Sequence, residues 1–366
     1  RRPHAAPLPP ICRLDALFTP EYDRPRSGWG MHLAGTGRTL TRPFPRKKDF
    51  QGRKPITRTA DGQGYLASRF TLMILRRRGA DVLVRAPAKV NLFLEVLRRR
   101  ADGYHELATL MTAVSLYDTL WLRNDPSGSV LLQCDRPDLS AGPDNLVCRA
   151  AELLRRRAGR DLGADIRLWK RIPMQAGLGG GSSDAAAALA GLNALWRLGL
   201  TAAELAGLGA ELGSDVTFFF AAPAAWCTGR GEKVERIALG RPLHFVLVSP
   251  SVGLSTAEVF GNVTSPGDPL TGEEVRRAAE AGNVEEIGRR LHNRLQASAE
   301  QLRPETAEWR ERLADLKPAG TLMTGSGSTI FALCRSPEEA WRVARGLDAF
   351  REEGGGPRVH IVRSCV

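Results

Sequence analysis

The sequence has few cysteines, no long apolar run and no metal-binding signature, and each absence excludes a class of protein. Its 366 residues include no run of about 18 apolar residues, which excludes a membrane-spanning helix. The six cysteines form no CxxC pair and the six histidines no HExxH pattern, so neither a zinc module nor a disulfide framework is indicated. Scattered cysteines suit a reducing compartment, and we expect a cytoplasmic protein.

The signatures of several nucleotide-binding families are also missing. The chain has no GxxxxGK(S/T) loop of P-loop NTPases and no HRD or DFG motif of protein kinases. A dinucleotide-binding fold needs an acidic residue at the end of the strand after its glycine loop, but Glu204 occupies a predicted helix cap instead.

The net charge of +12 belongs to one end of the chain. Residues 1–78 carry 17 Lys and Arg against 5 Asp and Glu, whereas the remaining residues carry 35 of each kind. A nucleic-acid-binding domain needs a basic surface on its folded body, and this balance removes most of that support. We therefore expect neither nucleic acid nor a membrane as a partner.

The basic segment has the composition of a disordered extension. Residues 1–72 show no sustained period of 2 or 3.6 and hold 9 of the 23 prolines. Because the segment is Arg-rich and poor in acidic residues, an organelle transit peptide is an alternative interpretation. A third interpretation is that Met73 is the natural start and the residues before it are not native protein. We assign residues 1–78 to this extension.

Beyond the extension, short β-branched segments alternate with helical ones, which predicts an α+β protein. Apolar segments predict two strands at 81–85 and 90–96, on either side of residues 86–89. A change of pattern near residue 240 predicts two domains, 79–240 and 241–366.

Helical signals are clearest in the middle of the chain. An Ala-rich helix is predicted at 185–198, entered through residues 182–184 and stopped by Gly199. Thr201 and Glu204 have the spacing of a capping box at the start of the next helix. Helices are also predicted at 145–157 and 284–295.

A glycine-rich loop runs directly into the Ala-rich helix. Four glycines in five positions, at 177 and 179–181, let the backbone approach a ligand and direct N–H groups toward it. The helix aims its positive end and its unpaired N–H groups at the same place. The natural occupant is a di- or triphosphate, although a glycine-rich turn before a capped helix is the ordinary structural alternative.

Three ordered motifs, at 87–91, 173–183 and 323–329, resemble those of the GHMP kinases, a family that includes galactokinase, homoserine kinase and mevalonate kinase. The resemblance covers about residues 80–366. It implies a two-domain GHMP kinase fold, with an N-terminal domain like domain 2 of ribosomal protein S5 and a ferredoxin-like C-terminal domain. The active site would lie between the two.

The resemblance also implies an activity. The element Gly103-Tyr104-His105 is similar to that of family members that transfer the γ-phosphoryl group of ATP to the 2-hydroxyl of 4-diphosphocytidyl-2-C-methyl-D-erythritol, in non-mevalonate isoprenoid synthesis. Alternatives are a GHMP kinase acting on mevalonate, phosphomevalonate or homoserine, and a non-enzymatic RNA- or ribosome-associated protein. A small acidic substrate would call for an Arg or Lys clamp on its carboxylate. The oligomeric state, monomer or homodimer, stays open.

By the same resemblance, Lys89 and Asp215 match the catalytic lysine and aspartate of the family. Asp215 would act as a general base, and Lys89 would neutralise developing charge. Without the motifs, Asp215 would be an ordinary helix N-cap and Lys89 a solvated surface charge. Ser214 fits the Ala or Ser that the family has before the aspartate, whereas Thr217 departs from the Pro that the family has two residues after it.

Binding residues follow from the matched motifs. Aromatic faces stack on a nucleobase, so Tyr104, His105 and Phe260 are candidates for the cytidine end, with core packing as the alternative. Magnesium is expected to accompany ATP, with Ser182, Asp184 and Asp215 or only water as its ligands. The implied ATP-binding residues are Asn145, Lys170, Pro173, Met174, Gln175, Ala176, Gly177, Leu178, Gly179, Gly180, Gly181, Ser182 and Ser183. Further substrate-binding candidates are Asn91, Thr256, Gly325, Ser326 and Gly327.

Overall fold

Two β-sheets with helices packed on them make up the computed structural model, which describes residues 73–221, 223–263, 267–348 and 356–365. The expectations for residues 1–72 lie outside these ranges. In chain order the strands are Ile74–Arg78 (β1), Asp81–Arg99 (β2), His105–Asp125 (β3), Val130–Cys134 (β4), Gly163–Trp169 (β5), Ala224–Gly229 (β6), Lys233–Ile237 (β7), His244–Ser249 (β8), His292–Asn293 (β9), Gly320–Met323 (β10), Ile330–Cys334 (β11) and Arg358–Arg363 (β12).

Helices alternate with these strands along the chain. They are Leu146–Ala158 (α1), Gly180–Leu195 (α2), Ala202–Leu212 (α3), Thr256–Gly261 (α4), Glu273–Ala281 (α5), Val284–Arg290 (α6), Gln296–Leu302 (α7), Glu305–Asp315 (α8) and Pro337–Gly346 (α9), with a 3-10 helix at Ser214–Phe220. None of the helices in the described part of the chain is long and apolar enough to cross a membrane.

The first sheet has the order β1-β2-β3-β5-β4, and β6 joins it through β3. Its central strand β2 is continuous from Asp81 to Arg99, so the prediction of two separate strands was wrong. Shifts in the register with β3, the first between Pro87 and Ala88, let the pairing continue past a proline that cannot donate to the ladder. Lys89 therefore lies inside a buried strand rather than after one, which rules out the solvated surface lysine.

The Ala-rich helix α2 begins earlier than predicted. It starts at Gly180 and ends at Leu195, so two glycines of the loop belong to its first turn and Gly199 is not its stop. Almost every residue of α2 is buried, and small side chains let it approach the sheet closely. A Cβ at Gly191 would lie 2.2 Å from Leu122 of β3. The capping box of Thr201 and Glu204 at the start of α3 is confirmed.

The second sheet, of order β10-β11-β8-β12, is covered on both faces. Phe245 and Phe331 face a cluster that includes Val90 and Leu110 of the first sheet. The alternate residues of β8 and β11 pack against α8 and α9. This shared apolar cluster fixes the second sheet against β2, the strand that carries Lys89.

The predicted helix at 284–295 is interrupted. Helix α6 ends at Arg290, and β9 then pairs in parallel with β2. The buried Glu95 carboxylate accepts hydrogen bonds from Arg294 Nε at 2.7 Å and His292 Nε2 at 3.1 Å, which draws this segment into the sheet. A segment beyond residue 240 thus contributes a strand to the first sheet. The division of the chain into two domains near residue 240 stays a prediction.

Candidate active site

The three sequence motifs line one cavity of about 1520 Å³. Lys89 and Asn91 contribute from β2, the glycine loop forms one wall, and Gly325 and Ser326 contribute from the segment after β10. Tyr104, His105, Asn145, Lys170, Asp215, Thr256 and Phe260 also line it. Among the predicted site residues, Ser183 and Gly327 lie outside the lining.

The glycine loop needs its glycines for conformation and for close approach. Gly177 and Gly179 have φ angles of +72° and +69°, in the left-handed region that favours glycine. A Cβ at Gly177 would lie 2.0 Å from the Thr324 carbonyl oxygen, and one at Gly179 would lie 2.9 Å from Lys89 Cγ. The loop is therefore clamped between the first and third motifs, with the N-terminus of α2 at its end.

The Ser183 hydroxyl is buried and donates to the Pro87 carbonyl at 2.6 Å. This bond ties the start of α2 to the strand that carries Lys89. The predicted part of Ser183 in ATP binding stays a prediction. Ser182 is half-buried and lines the cavity.

The Lys89 ammonium lies at the meeting point of the three motifs. It donates to Asn91 Oδ1 at 2.6 Å and lies 3.6 Å from Asp215 Oδ2. Burial lowers the pKa of Lys89, and the Asp215 carboxylate offsets only part of this. The backbone N–H of Lys89 donates to the Leu178 carbonyl at 3.0 Å, which joins β2 to the glycine loop.

Asp215 points into the cavity from the first turn of the 3-10 helix. The residue before this helix, Gly213, caps it without a side-chain hydrogen bond, so the N-cap interpretation of Asp215 was wrong. The side chain of Asp215 remains 34% exposed, which leaves it open to a ligand. Thr217, where the family has Pro, donates to the Ser214 carbonyl at 3.0 Å and keeps the turn closed.

Asn91 is held by its neighbours rather than free in the cavity. Its Nδ2 donates to Thr109 Oγ1 at 2.8 Å, and its backbone N–H donates to Thr324 Oγ1 at 3.0 Å. Thr324 Oγ1 in turn donates to Asn91 Oδ1 at 3.2 Å. In this geometry Asn91 positions the Lys89 ammonium by accepting its hydrogen bond. The sequence motif alone does not reveal this contact.

Lys170 occupies a buried ion cluster at the other side of the loop. Its ammonium donates to Asp184 Oδ2 at 2.6 Å and to Asp118 Oδ2. Burial alone would lower the pKa of Lys170, but the two carboxylates raise it above the ordinary lysine value. Burial and the neighbouring Asp118 raise the pKa of Asp184 well above its usual range, and Lys170 offsets only part of this.

Asp118 is a residue that sequence reasoning missed. Its Oδ1 accepts hydrogen bonds from the backbone N–H groups of Arg171 and Ile172, at 2.5 and 2.9 Å, just before the glycine loop. The signal was available, because Asp118 is the one acidic residue between Leu110 and Leu122 of a strand and needs a partner where it is buried. Its partner could not be named, since Lys170 is 52 residues away.

Asn145 uses its side chain to cap α1. Its Oδ1 accepts from the backbone N–H of Val147 at 2.9 Å, and its Nδ2 donates to the Ser140 carbonyl at 2.6 Å. The predicted part of Asn145 in ATP binding stays a prediction. Among the described residues, no cluster of three or more His, Cys, Asp or Glu side chains forms a metal site.

Aromatic rings form one part of the cavity wall, at Tyr104, His105 and Phe260, and this part is the aromatic end of the cavity. The rings of His105 and Phe260 stack with centroids 5.2 Å apart. Tyr104 is 54% exposed, and the guanidinium of Arg230 lies 4.7 Å from its ring centroid. Burial and the nearby Arg99 lower the pKa of His105, so its ring is neutral at neutral pH. Thr256 and Ser326 exchange a hydroxyl hydrogen bond of 3.0 Å beside them.

The remaining residue, Gly327, belongs to the turn after β10. It has a φ angle of +83°, and its N–H donates to the Thr324 carbonyl at 3.0 Å. Asn293 of β9 supports the same segment by donating to the carbonyls of Met323 and Gly325, both at 2.8 Å. These bonds shape the third motif around the Lys89 ammonium.

The fold and the glycine loop define a small-molecule kinase of the GHMP type. The family described as "GHMP kinases N terminal domain" matches residues 145–222, and "GHMP kinases C terminal" matches residues 275–352. A solved homoserine kinase from Cytophaga hutchinsonii, 19% identical, covers 79% of this chain and 96% of its own with a TM-score of 0.64. That likeness bears on the fold alone, and the predicted fold class is confirmed.

Relatives by sequence indicate one group of kinases within this family. The 4-diphosphocytidyl-2-C-methyl-D-erythritol kinase of Pelotomaculum thermopropionicum is 44% identical over 262 residues, which are 71% of this chain and 91% of that protein. The same kinase from Syntrophotalea carbinolica is 43% identical over 72% of this chain and 93% of its own. A crystal structure of 4-(cytidine 5'-diphospho)-2C-methyl-D-erythritol kinase, 38% identical, covers 76% of this chain and 98% of its own with a TM-score of 0.63. The chain belongs to the 4-diphosphocytidyl-2-C-methyl-D-erythritol kinases of the GHMP family.

Proposed function

We propose that this chain transfers the γ-phosphoryl group of ATP to the 2-hydroxyl of 4-diphosphocytidyl-2-C-methyl-D-erythritol, giving the 2-phosphate and ADP in non-mevalonate isoprenoid synthesis. The observation that carries the proposal is the pair of Lys89 and Asp215, 3.6 Å apart, in a cavity that also contains a glycine loop and an aromatic end. Phosphoryl transfer needs positioning and charge neutralisation more than covalent help, and this cavity provides groups for both.

Asp215 is the proposed acceptor of the hydroxyl proton. Asp215 is partly exposed to the cavity and can take the proton as the acceptor oxygen attacks the γ-phosphorus and ADP leaves. The Lys89 ammonium, held by Asn91, lies beside that carboxylate and the phosphate loop, where it can stabilise the negative charge that develops.

The glycine loop and the start of α2 are the proposed site for the ATP phosphates. Backbone N–H groups at a helix N-terminus bind anions, and the left-handed glycines let the loop bend around them. Magnesium enters as part of the Mg-ATP substrate, neutralising the triphosphate. Ser182 and Asp215 offer oxygen atoms toward that complex, whereas Asp184 is already engaged with Lys170.

The aromatic end favours a cytidine-bearing acceptor over a small acid. A nucleobase can stack on Tyr104 or on the pair of His105 and Phe260. Thr256 and Ser326 lie beside these rings and offer hydroxyl groups to the acceptor. We further propose that the enzyme acts in the cytoplasm on small molecules, without nucleic acid or membrane partners, as a monomer or homodimer.

ATP turnover with a panel of acceptors tests the proposal. The full chain is assayed with Mg-ATP and each of 4-diphosphocytidyl-2-C-methyl-D-erythritol, mevalonate, phosphomevalonate and homoserine. We expect ADP formation only with the cytidyl acceptor. Turnover with a small acceptor alone would keep the roles of Lys89 and Asp215 and would remove those of Tyr104, His105 and Phe260.

Replacement of Tyr104 tests the acceptor end separately. Loss of base stacking is worth about 1–3 kcal/mol, so Tyr104→Ala should raise the KM of the cytidyl acceptor about 5- to 150-fold and leave the KM of ATP nearly unchanged. Equal losses for the two substrates would mean that Tyr104 has a structural role only.

A further inference from the structure

The Lys89 ammonium is positioned by Asn91, and a further group has to fix which way the Asn91 amide faces. An amide side chain presents an acceptor oxygen on one side and a donor nitrogen on the other. Lys89 carries only N–H donors, so it needs the oxygen, and it donates to Asn91 Oδ1 at 2.6 Å. A reversed amide would set donors against the ammonium and would displace it from this position.

Thr109 of β3 lies on the nitrogen side of that amide. Its Oγ1 accepts a hydrogen bond from Asn91 Nδ2 at 2.8 Å and donates one to the Phe93 carbonyl at 2.6 Å. A carbonyl oxygen can only accept, so the single hydroxyl proton of Thr109 is committed to Phe93. Toward Asn91 the hydroxyl oxygen is therefore an acceptor, and of the two amide groups only the nitrogen can face it.

The pairing of β2 with β3 places the Thr109 hydroxyl at this point. The register of the two strands shifts between Asn91 and Phe93, as it does at a β-bulge, and Thr109 pairs with Leu94 just beyond the shift. The hydroxyl therefore lies within reach of both the Phe93 carbonyl and the Asn91 side chain. Thr109 is only 3% exposed, so the protein rather than solvent supplies the partners of its hydroxyl.

Thr324 completes the arrangement on the oxygen side of the amide. Its Oγ1 accepts from the backbone N–H of Asn91 at 3.0 Å and donates to Asn91 Oδ1 at 3.2 Å. Two donors, Lys89 and Thr324, therefore face the amide oxygen, and one acceptor faces the amide nitrogen. Within the described part of the chain Asn91 Nδ2 donates to no other group, so Thr109 alone holds that side.

We propose that Thr109 is a positioning residue for phosphoryl transfer, which fixes the orientation of the Asn91 amide and, through it, the position of the Lys89 ammonium. The inference rests on the proposed function, since it assigns Thr109 a part in that reaction. The ammonium lies 3.6 Å from Asp215, so its displacement would disturb the pair that carries the chemistry. Loss of the Thr109 hydroxyl should therefore lower the rate of transfer more than the affinity for either substrate.

Steady-state kinetics of the full chain with Mg-ATP and 4-diphosphocytidyl-2-C-methyl-D-erythritol test this role. Thr109→Val keeps the shape of the side chain and removes the hydroxyl. Its kcat, expressed per folded molecule, should fall about 10- to 100-fold, the usual cost of a misplaced catalytic group, while both KM values stay within about threefold. Thr109→Ser restores the hydroxyl and should recover kcat to within about threefold of the parent value.

A second comparison shows whether Thr109 acts through Asn91. In an Asn91→Ala background the amide is already lost, so adding Thr109→Val should change kcat by less than about twofold. A loss of the same size in both backgrounds would mean that the effect of Thr109 does not pass through Asn91, which would overturn the assignment. A parent-like kcat in Thr109→Val, or a Thr109→Ser variant that does not recover activity, would overturn it as well.

Thr112→Val is the matched control. Thr112 is buried in the same strand, does not line the cavity and donates to the Pro223 carbonyl at 3.0 Å, so this variant also removes one buried hydroxyl. Its kcat should stay close to the parent value, and an equal fall in the two valine variants would reject a specific role of Thr109. If the parent chain does not turn over the cytidyl acceptor, the proposed function itself fails, whereas normal parent turnover with an unchanged Thr109→Val rejects the role of Thr109 alone.

Discussion

Two lysines approach the glycine loop from different sides, Lys89 next to Gly179 and Lys170 next to Gly180. Both side chains are only 4% exposed, so burial by itself does not distinguish them. Lys89 faces one carboxylate, 3.6 Å away and partly exposed, and its pKa is lowered. Lys170 is held by two buried carboxylates, and its pKa is raised.

We propose that this difference separates a charge that acts on the ligand, Lys89, from a charge that stabilises the fold around the loop, Lys170; the predicted contact of Lys170 with ATP stays a prediction. The charge of Lys170 is neutralised within the protein, and its cluster fixes residues 170–172 and the start of α2 around the loop. The charge of Lys89 is only partly neutralised, which leaves it available to an anionic ligand.

Asp215→Asn should give the largest loss of activity. The variant removes the proposed proton acceptor, so kcat should fall about 100- to 10,000-fold. ATP should still bind with nearly unchanged affinity, because the glycine loop and the Lys170 cluster are untouched. Steady-state kinetics with the cytidyl acceptor measure both quantities, and near-normal turnover would exclude Asp215 as the base.

Lys170→Met should act on stability instead. Removing the cation leaves two buried carboxylates without a partner, which should lower the free energy of unfolding by about 3–5 kcal/mol. Denaturant unfolding measures this change. Lys233→Met, at an exposed position of β7, is the control and should change it by less than about 0.5 kcal/mol. A stable Lys170→Met variant with lost activity would assign Lys170 to catalysis.

Alkaline pH should inactivate the enzyme through Lys89. Its pKa is lowered, so the ammonium loses its proton at a lower pH than an exposed lysine does. Because the cation is the active form, kcat/KM should fall as the pH rises through that pKa, by up to about tenfold per pH unit. Lys89→Arg, which stays charged, should lose this alkaline decline whatever activity it retains. A flat parent profile up to the ordinary lysine pKa of about 10.4 would contradict the assignment.

Asp184→Asn should have the smallest effect. The Asp184 carboxylate accepts a hydrogen bond from Lys170, whereas Asp118 accepts hydrogen bonds from Lys170 and from two backbone N–H groups, so fewer contacts depend on Asp184. The free energy of unfolding should change by about 1 kcal/mol or less, whereas Asp118→Asn, which weakens three hydrogen bonds to a buried carboxylate, should cost about 3 kcal/mol. Equal losses in the two variants would contradict this difference between the two carboxylates.

Local signals explain what the sequence could predict. The glycine loop, the capping box of Thr201 and Glu204, and the three motifs are short and contiguous, so their residue types report directly on backbone conformation and ligand type. The start of α2 was misplaced because glycine is a weak helix former. Packing decides the matter there, since a Cβ at Gly180 would lie 3.0 Å from Ile172.

Long-range partners explain what it could not predict. The buried partners of Lys170 are 52 and 14 residues away, and Asn91 meets Thr324 across 233 residues. The interruption of the predicted helix at 284–295 depends on Glu95, which is 199 residues from Arg294. A local sequence pattern cannot contain such contacts. The different environments of Lys89 and Lys170 could therefore be seen only in the folded structure.

The most direct test of the different roles of Lys89 and Lys170 is the rate of phosphoryl transfer in a single turnover. Lys89→Met and Lys170→Met are saturated with Mg-ATP, mixed with the cytidyl acceptor, and the rate is expressed per folded molecule. We expect Lys89→Met to bind ATP and to transfer the phosphoryl group about 100- to 1,000-fold more slowly, because it lacks a group that stabilises transition-state charge. The folded fraction of Lys170→Met should transfer it at close to the parent rate. A near-parent rate in Lys89→Met, or a slow rate in folded Lys170→Met, would contradict the account.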